Sequence, residues 1–327
     1  MELTFDRSAL TVNPGLRVFA KTINQEGRQP IGTKPGLWML PMSPDFILFA
    51  QHGWADNHQT MQALAQKLAT QTSQVVAPCL NYASTWLRLK PLVERVERLA
   101  AGVVESNPGV PLRIVGHSMG GLIWLQVLAR HPDWWPRVDS LVLLAVPVGG
   151  AHLARLVDPL GLGVGIAADL GRNHRPTAIA IVARIKTLVL AGDIDGGGDG
   201  TITIESTKIP QAQFQVLEGL SHPVLRYHPQ VIEIIRRFWA GEQLESAPTH
   251  PLIEYLRQVP GITDAHYRGF KHSVVYRPDQ DGVSLRRWGH PLGLDHVFVA
   301  SMQGDCLYGG YVGWLHRWHL AKALAAL

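Results

Sequence analysis

The chain has 327 residues, enough for one large α/β domain with an appendage, or for two domains. Its composition is 46% hydrophobic and 17% charged, which is globular rather than disordered, and its net charge is only +4 with the basic residues scattered. That excludes the basic footprint of a nucleic-acid-binding protein. Ten tryptophans are many, and they fit either a large core or an apolar surface that meets a partner or a greasy substrate.

The start, Met1-Glu-Leu-Thr-Phe-Asp-Arg-Ser8, has neither a basic n-region nor an apolar h-region, and no run of 18 apolar residues follows. The expectation is a cytoplasmic protein without a transmembrane segment. Residues 1–36 contain short apolar pieces such as Leu16–Ala20, read as edge strands and loops. Phe46–Ala50 reads as a buried strand ending at Gln51-His52-Gly53-Trp54, and 60–69 as an amphipathic helix. Gln74–Leu80 is the next predicted strand and 88–106 the next helix. Leu112–Val115 is then a strand and 119–130 a helix, followed by a buried strand over 140–146.

Residues 147–185 change texture. Glycines at 149, 150, 161, 163, 165 and 171 lie among small apolar residues, which suits a cap over a site or a routine inserted loop. Strands over 185–191 and 214–218 and a helix over 223–240 complete the alternation. Strand–helix alternation at this spacing predicts βαβ units and a mostly parallel sheet, with ligands at the carboxyl ends of the strands. The domain is expected to span 1–245. An α+β appendage follows over 246–327, with a short helix at 251–258, short antiparallel strands at 273–276, 283–287 and 296–300, and a helix at 312–326. Asp281-Gly282 is the turn signal between the first two of those strands.

The chemistry centres on Gly116-His117-Ser118-Met119-Gly120, between the predicted strand Leu112–Val115 and its helix. G-x-S-x-G in strand–turn–helix context reads as a nucleophile elbow, a tight turn that lifts a serine hydroxyl out of the sheet end. Its neighbours must be tiny, and Gly116, Gly120 and Gly121 meet that need. A serine hydroxyl is a weak nucleophile and needs an adjacent base with an orienting acid. His222 follows the last strand of the alternation, where the base belongs, while His228 falls inside a helical pattern. The acid lies in Asp193-Ile-Asp195-Gly-Gly-Gly-Asp199-Gly-Thr-Ile202, with Asp199 preferred and Asp195 as the alternative. The same loop, with its three aspartates, also resembles an oxygen-rich calcium site, although no bidentate Glu follows at EF-hand spacing. Oxyanion donors are expected at the Met119 amide and, from the early loop, the Trp54 amide. His316-Arg-Trp-His319 places two imidazoles on one helical face, a weak metal signal. Cys79 and Cys306 do not suggest a disulfide framework, though a single bridge is open.

His52-Gly-Trp54, Gly116–Gly121, Leu144–Ala154, Asp199-Gly-Thr-Ile202 and His222 together resemble the α/β-hydrolase superfamily, and within it the lipase and GPI-inositol-deacylase-like serine esterases, over about residues 40–240. The segment around Pro147 departs from the lipase Thr-Pro-His pattern, with Val148 in place of the His. The resemblance implies helices on both faces of the sheet and hydrolysis of small-molecule or lipid-like carboxylic esters. The reaction would run through an acyl-enzyme on Ser118, Asp199 and His222, without a cofactor. An acyltransferase or thioesterase on the same residues is the first alternative, and a catalytically silent binding protein on the same fold the second.

Overall fold

The computed structural model describes residues 43–80, 88–150, 165–247, 250–280, 282–291 and 293–327. The expected edge strands before residue 37, residues 151–164 of the glycine-rich stretch and Asp281 of the turn lie outside them.

Six strands form one parallel sheet in the order β2-β1-β3-β4-β5-β6. They are β1 (Ile47–Gln51), β2 (Gln74–Val76), β3 (Leu112–His117), β4 (Val138–Leu144), β5 (Thr187–Asp193) and β6 (Gln213–Glu218). The central strands β1, β3, β4 and β5 are mostly apolar and buried because helices cover both faces of the sheet there, whereas the edge strand β6 mixes polar with apolar residues and is only partly buried. Along β1, Ile47 and Phe49 face one core while Phe46, Leu48 and Ala50 face the other. The first core is closed by α2 (Leu89–Ser106), α3 (Met119–Arg130) and α5 (Arg175–Val182); the second by α1 (His58–Leu68) and α7 (Pro229–Trp239). Two short helices complete the chain order, α4 (Gly165–Leu170) and α6 (Ile204–Thr207). This is the α/β-hydrolase fold, with helices on both faces of a mostly parallel sheet.

The chain winds outward from β1 to β2 and then returns to β3 on the other side. The crevice between the carboxyl ends of β1 and β3 is therefore a topological switch point, the place where open α/β sheets bind ligands. His52-Gly53-Trp54 and Ser118 both lie there.

The described ends of the glycine-rich stretch pack inward. Ile166, Ala178 and Ile181 join the first core. Asp169, buried, accepts the Leu89 amide at 2.9 Å and a two-point contact from Arg88, so a carboxylate from a distant helix caps the start of α2.

A second, antiparallel sheet has the order β7-β11-β10-β9-β8, from β7 (Ile262–Asp264), β8 (Val274–Gln280), β9 (Val283–Gly289), β10 (Asp295–Ser301) and β11 (Cys306–Val312). The flanking helices are α8 (Pro251–Arg257) and α9 (Arg317–Ala325). Strands β7 and β11 were not expected, and the last helix starts at Arg317 rather than 312. Gly309 and Gly310 interrupt the alternation of β11, and both sit where chains approach closely: a β-carbon on Gly309 would lie 3.1 Å from the Phe298 ring. The helix expected over 223–240 is also broken. Pro229 disfavours helical backbone at the residue before it, so His228 is extended and caps α7 through its ring nitrogen, after a separate turn at Val224–Arg226.

The second sheet has its own apolar core and is joined to the first part of the chain by buried charge. Arg175 donates to Asp264 at 2.7 Å with both side chains buried, and Arg257 reaches Glu205 at 3.0 Å. Lys208 and Tyr267 also bond to Glu205. Such buried groups are tolerated only when every charge has its partner.

Candidate active site

The turn from β3 into α3 holds Ser118 at φ 54° and ψ −128°, a conformation that L-residues avoid and that costs about 1–3 kcal/mol. Backbone bonds hold it there: the Ser118 amide donates to Leu144 at 2.8 Å, and the Gly121 amide donates to Ser118 at 3.0 Å. The flanking glycines leave no room for a side chain. A β-carbon on Gly116 would lie 2.6 Å from Gly121 Cα, and one on Gly120 would strike the Gln51 carbonyl.

The loop after β1 presses on the same point. A β-carbon on Gly53 would sit 2.9 Å from Ser118 Cβ and 3.3 Å from the Met119 nitrogen. The Gly53–Trp54 peptide and the Met119 amide thus share one corner beside Ser118. His52 braces that loop from within, where it is fully buried. Its Nδ1–H donates to the Gly53 carbonyl at 3.1 Å and its Nε2 accepts the Leu80 amide at 3.2 Å, which fixes a neutral tautomer. Arg226 pairs with Asp56, tying the segment after Trp54 to the turn after His222.

The three aspartates after β5 separate by their partners. Asp193 Oδ1 accepts the amides of Asp195, Gly196 and Gly197 at 3.1, 2.8 and 3.0 Å, so it organises its own loop. Asp195 faces the second sheet, bonding to His266 Nε2 at 2.9 Å and to Arg268. Burial opposes its ionisation, but His266 and Arg268 outweigh that and hold the carboxyl below its ordinary value. Asp199 is buried; its Oδ1 accepts the Thr201 and Ile202 amides at 2.9 and 2.7 Å, and its Oδ2 accepts from His222 Nδ1 at 2.6 Å. The His222 amide also donates to the Asp199 carbonyl at 3.0 Å. With its proton on Nδ1, neutral His222 keeps a lone pair on Nε2. These engaged carboxylates do not converge on a cation site, and no group of three or more metal-ligating side chains occurs among the described residues. The His316 and His319 rings stack at 5.6 Å instead. Cys79 and Cys306 are both free thiols, with burial pushing Cys306 up to about 12.

His117 links Ser118 to His222, and sequence reasoning did not single it out. Its Nε2–H donates to the His222 carbonyl at 3.1 Å, and the two rings lie 4.5 Å apart. The only signal was its place immediately before the serine. Burial first, and then the charges of His222 and Arg226, push its pKa well below the ordinary value. Burial likewise lowers His52 and His174.

The consequence for pH has a definite sign. Between the depressed folded-state values and 6.5, the ordinary histidine value, the unfolded chain binds more protons than the folded one. The stability these three histidines leave intact above about pH 6.5 is lost as pH falls below it, by up to about 1.4 kcal/mol per pH unit for each group. Thermal midpoints measured from pH 7.5 down to 5 are expected to fall; a level or rising midpoint contradicts the reading.

Among the described residues no helix is long and apolar enough to cross a membrane. The family model described as serine aminopeptidase, S33, matches residues 81–177. The pimeloyl-[acyl-carrier protein] methyl ester esterase of Chromobacterium violaceum is 30% identical over 107 residues, covering 32% of this chain and 38% of that protein. The chain thus aligns with well under half the length of this curated relative. Among solved structures, the mature lipase BlEst2 of Bacillus licheniformis superposes with a TM-score of 0.48 at 15% identity, over 65% of this chain and 96% of that one. The metagenomic carboxyl esterase MGS0156 gives a TM-score of 0.48 at 14% identity, over 69% and 82%.

Proposed function

We propose that the chain is an α/β-hydrolase and, within that superfamily, a serine esterase acting on carboxylic esters through an acyl-enzyme. The observation that carries this is the chain of contacts from Asp199 to His222 to His117, the residue before the strained Ser118. A buried acid orients a base whose loop is pinned to the nucleophile's own strand.

In this reading Ser118 Oγ attacks the ester carbonyl carbon while His222 Nε2 takes the hydroxyl proton. The carbonyl electrons move onto oxygen, and the Trp54 and Met119 amides hold that oxyanion where charge develops. The intermediate collapses as the C–O bond to the alcohol breaks, and His222 returns its proton to the departing oxygen. A water then attacks the acyl-Ser118 ester by the same steps and frees the carboxylic acid. Asp199 keeps His222 in the Nδ1–H tautomer and stabilises the imidazolium.

A fluorophosphonate probe tests the nucleophile without assuming a substrate. Wild-type protein is expected to label at one site, and peptide mapping to place the adduct on Ser118. Absence of labelling under conditions that label a control serine hydrolase refutes the proposal. A panel of p-nitrophenyl esters of graded acyl length then defines the preferred substrate.

A further inference from the structure

A cleft of about 840 Å³ opens between the loop after β5 and the antiparallel sheet. One wall is the backbone of Gly198, Gly200, Thr201 and Ile202; the other comes from β9, β10 and the turn Tyr267–His272. Neither Ser118 nor His222 lines it. Asp199 lies between the two spaces, because the Thr201 and Ile202 amides that hold its Oδ1 belong to the wall of the cleft.

The lining is aromatic in an ordered way. Trp288 is ringed by His272 at 5.3 Å, His290 at 4.9 Å and His296 at 4.9 Å between ring centroids. Such rings favour a planar guest that stacks on or edges against them. The charge balance favours an anion. Among the described residues Asp195 is the one acidic member of the lining, and it is already matched by His266 and Arg268. Lys271 stands exposed at the rim and makes no ion pair among the described residues. Among the described residues the cleft therefore offers a cation and a histidine-rich face whose one carboxylate, Asp195, is already neutralised.

We propose that this cleft is a second ligand site, distinct from the Ser118 crevice, that takes a planar aromatic anion with its ring against Trp288 and its charge at Lys271. A guest there would press on the backbone that holds Asp199, so occupancy would be felt at the first site. The binding itself does not depend on the chain's being an esterase.

Naphthalene-2-sulfonate is a suitable probe, titrated calorimetrically into the full chain at pH 8. Saturable binding is expected, at least tenfold tighter than that of 2-naphthylmethylamine or decyl sulfate. Lys271→Glu and His272→Ala, both at exposed positions, are each expected to weaken it at least tenfold with an unchanged thermal midpoint. Trp288→Leu should weaken it further, and a loss of fold in that variant leaves the two surface variants to decide. Ser118→Ala should bind as wild type does, which separates this test from the fate of the esterase reading. Unaltered affinity in both surface variants, or equal binding of the cationic or aliphatic analogue, overturns the proposal.

Discussion

Replacing Ser118 with alanine is expected to lower the turnover of p-nitrophenyl esters by about 10⁶-fold, the order of loss seen when the serine of a serine-protease triad is removed. The fold should survive the change. The strained turn is held by backbone bonds, from the Ser118 amide to Leu144 and from the Gly121 amide to Ser118, and both remain in the variant. Alanine at φ 54° is no more strained than serine, so the thermal midpoint should stay within about 2 °C. Residual activity above the uncatalysed rate would come from the amides beside the site, worth about 10³–10⁴-fold. A pure, folded variant that keeps a tenth or more of the wild-type rate would remove Ser118 from the reaction.

The parts of this molecule that could be read from sequence are those whose constraint is local. The central sheet strands are apolar runs because they are covered on both faces, and the elbow is marked by glycines because the turn itself admits no side chain. The parts that stayed hidden depend on partners far along the chain. Three aspartates within seven residues look alike in sequence, yet one bonds its own loop, one reaches His222, and one reaches His266 and Arg268 some seventy residues on. Strand β11 was obscured for a similar reason. Gly309 and Gly310 break its apolar alternation, and only the fold shows why: Phe298 and Ala265 take the space of a side chain at the first, and Tyr308 and Ile262 at the second. The stop at His228-Pro229 was local and visible, but the apolar spacing around it reads as one helix.

That division of partners also explains why the buried charges lie where they do. The β7–β11 sheet is joined to the parallel sheet at Glu205, Arg257, Arg175 and Asp264, all buried, and at the more accessible Asp195. The loop after β5 runs from that junction directly to Asp199. Its shape is set at one end by the second sheet and at the other by His222.

Asp199→Asn and Asp195→Asn should therefore behave very differently. In Asp199→Asn the side-chain oxygen can still accept the Thr201 and Ile202 amides, so the loop keeps its form. The amide nitrogen then faces His222 Nδ1 and donates to it. The ring must carry its proton on Nε2, the position that should receive the Ser118 proton, and kcat is expected to fall by about 10⁴-fold with little change in stability. Asp195→Asn instead removes a charge from a partly exposed cluster with His266 and Arg268. Exposed pairs of this kind are worth about 0–1 kcal/mol, so activity should stay within tenfold of wild type and the thermal midpoint should drop by only a few degrees. Steady-state rates at pH 8 decide between the two residues. A loss of about 10⁴-fold in Asp195→Asn, with Asp199→Asn near wild type, would mean that the hydrogen bond between Asp199 and His222 does not orient the base.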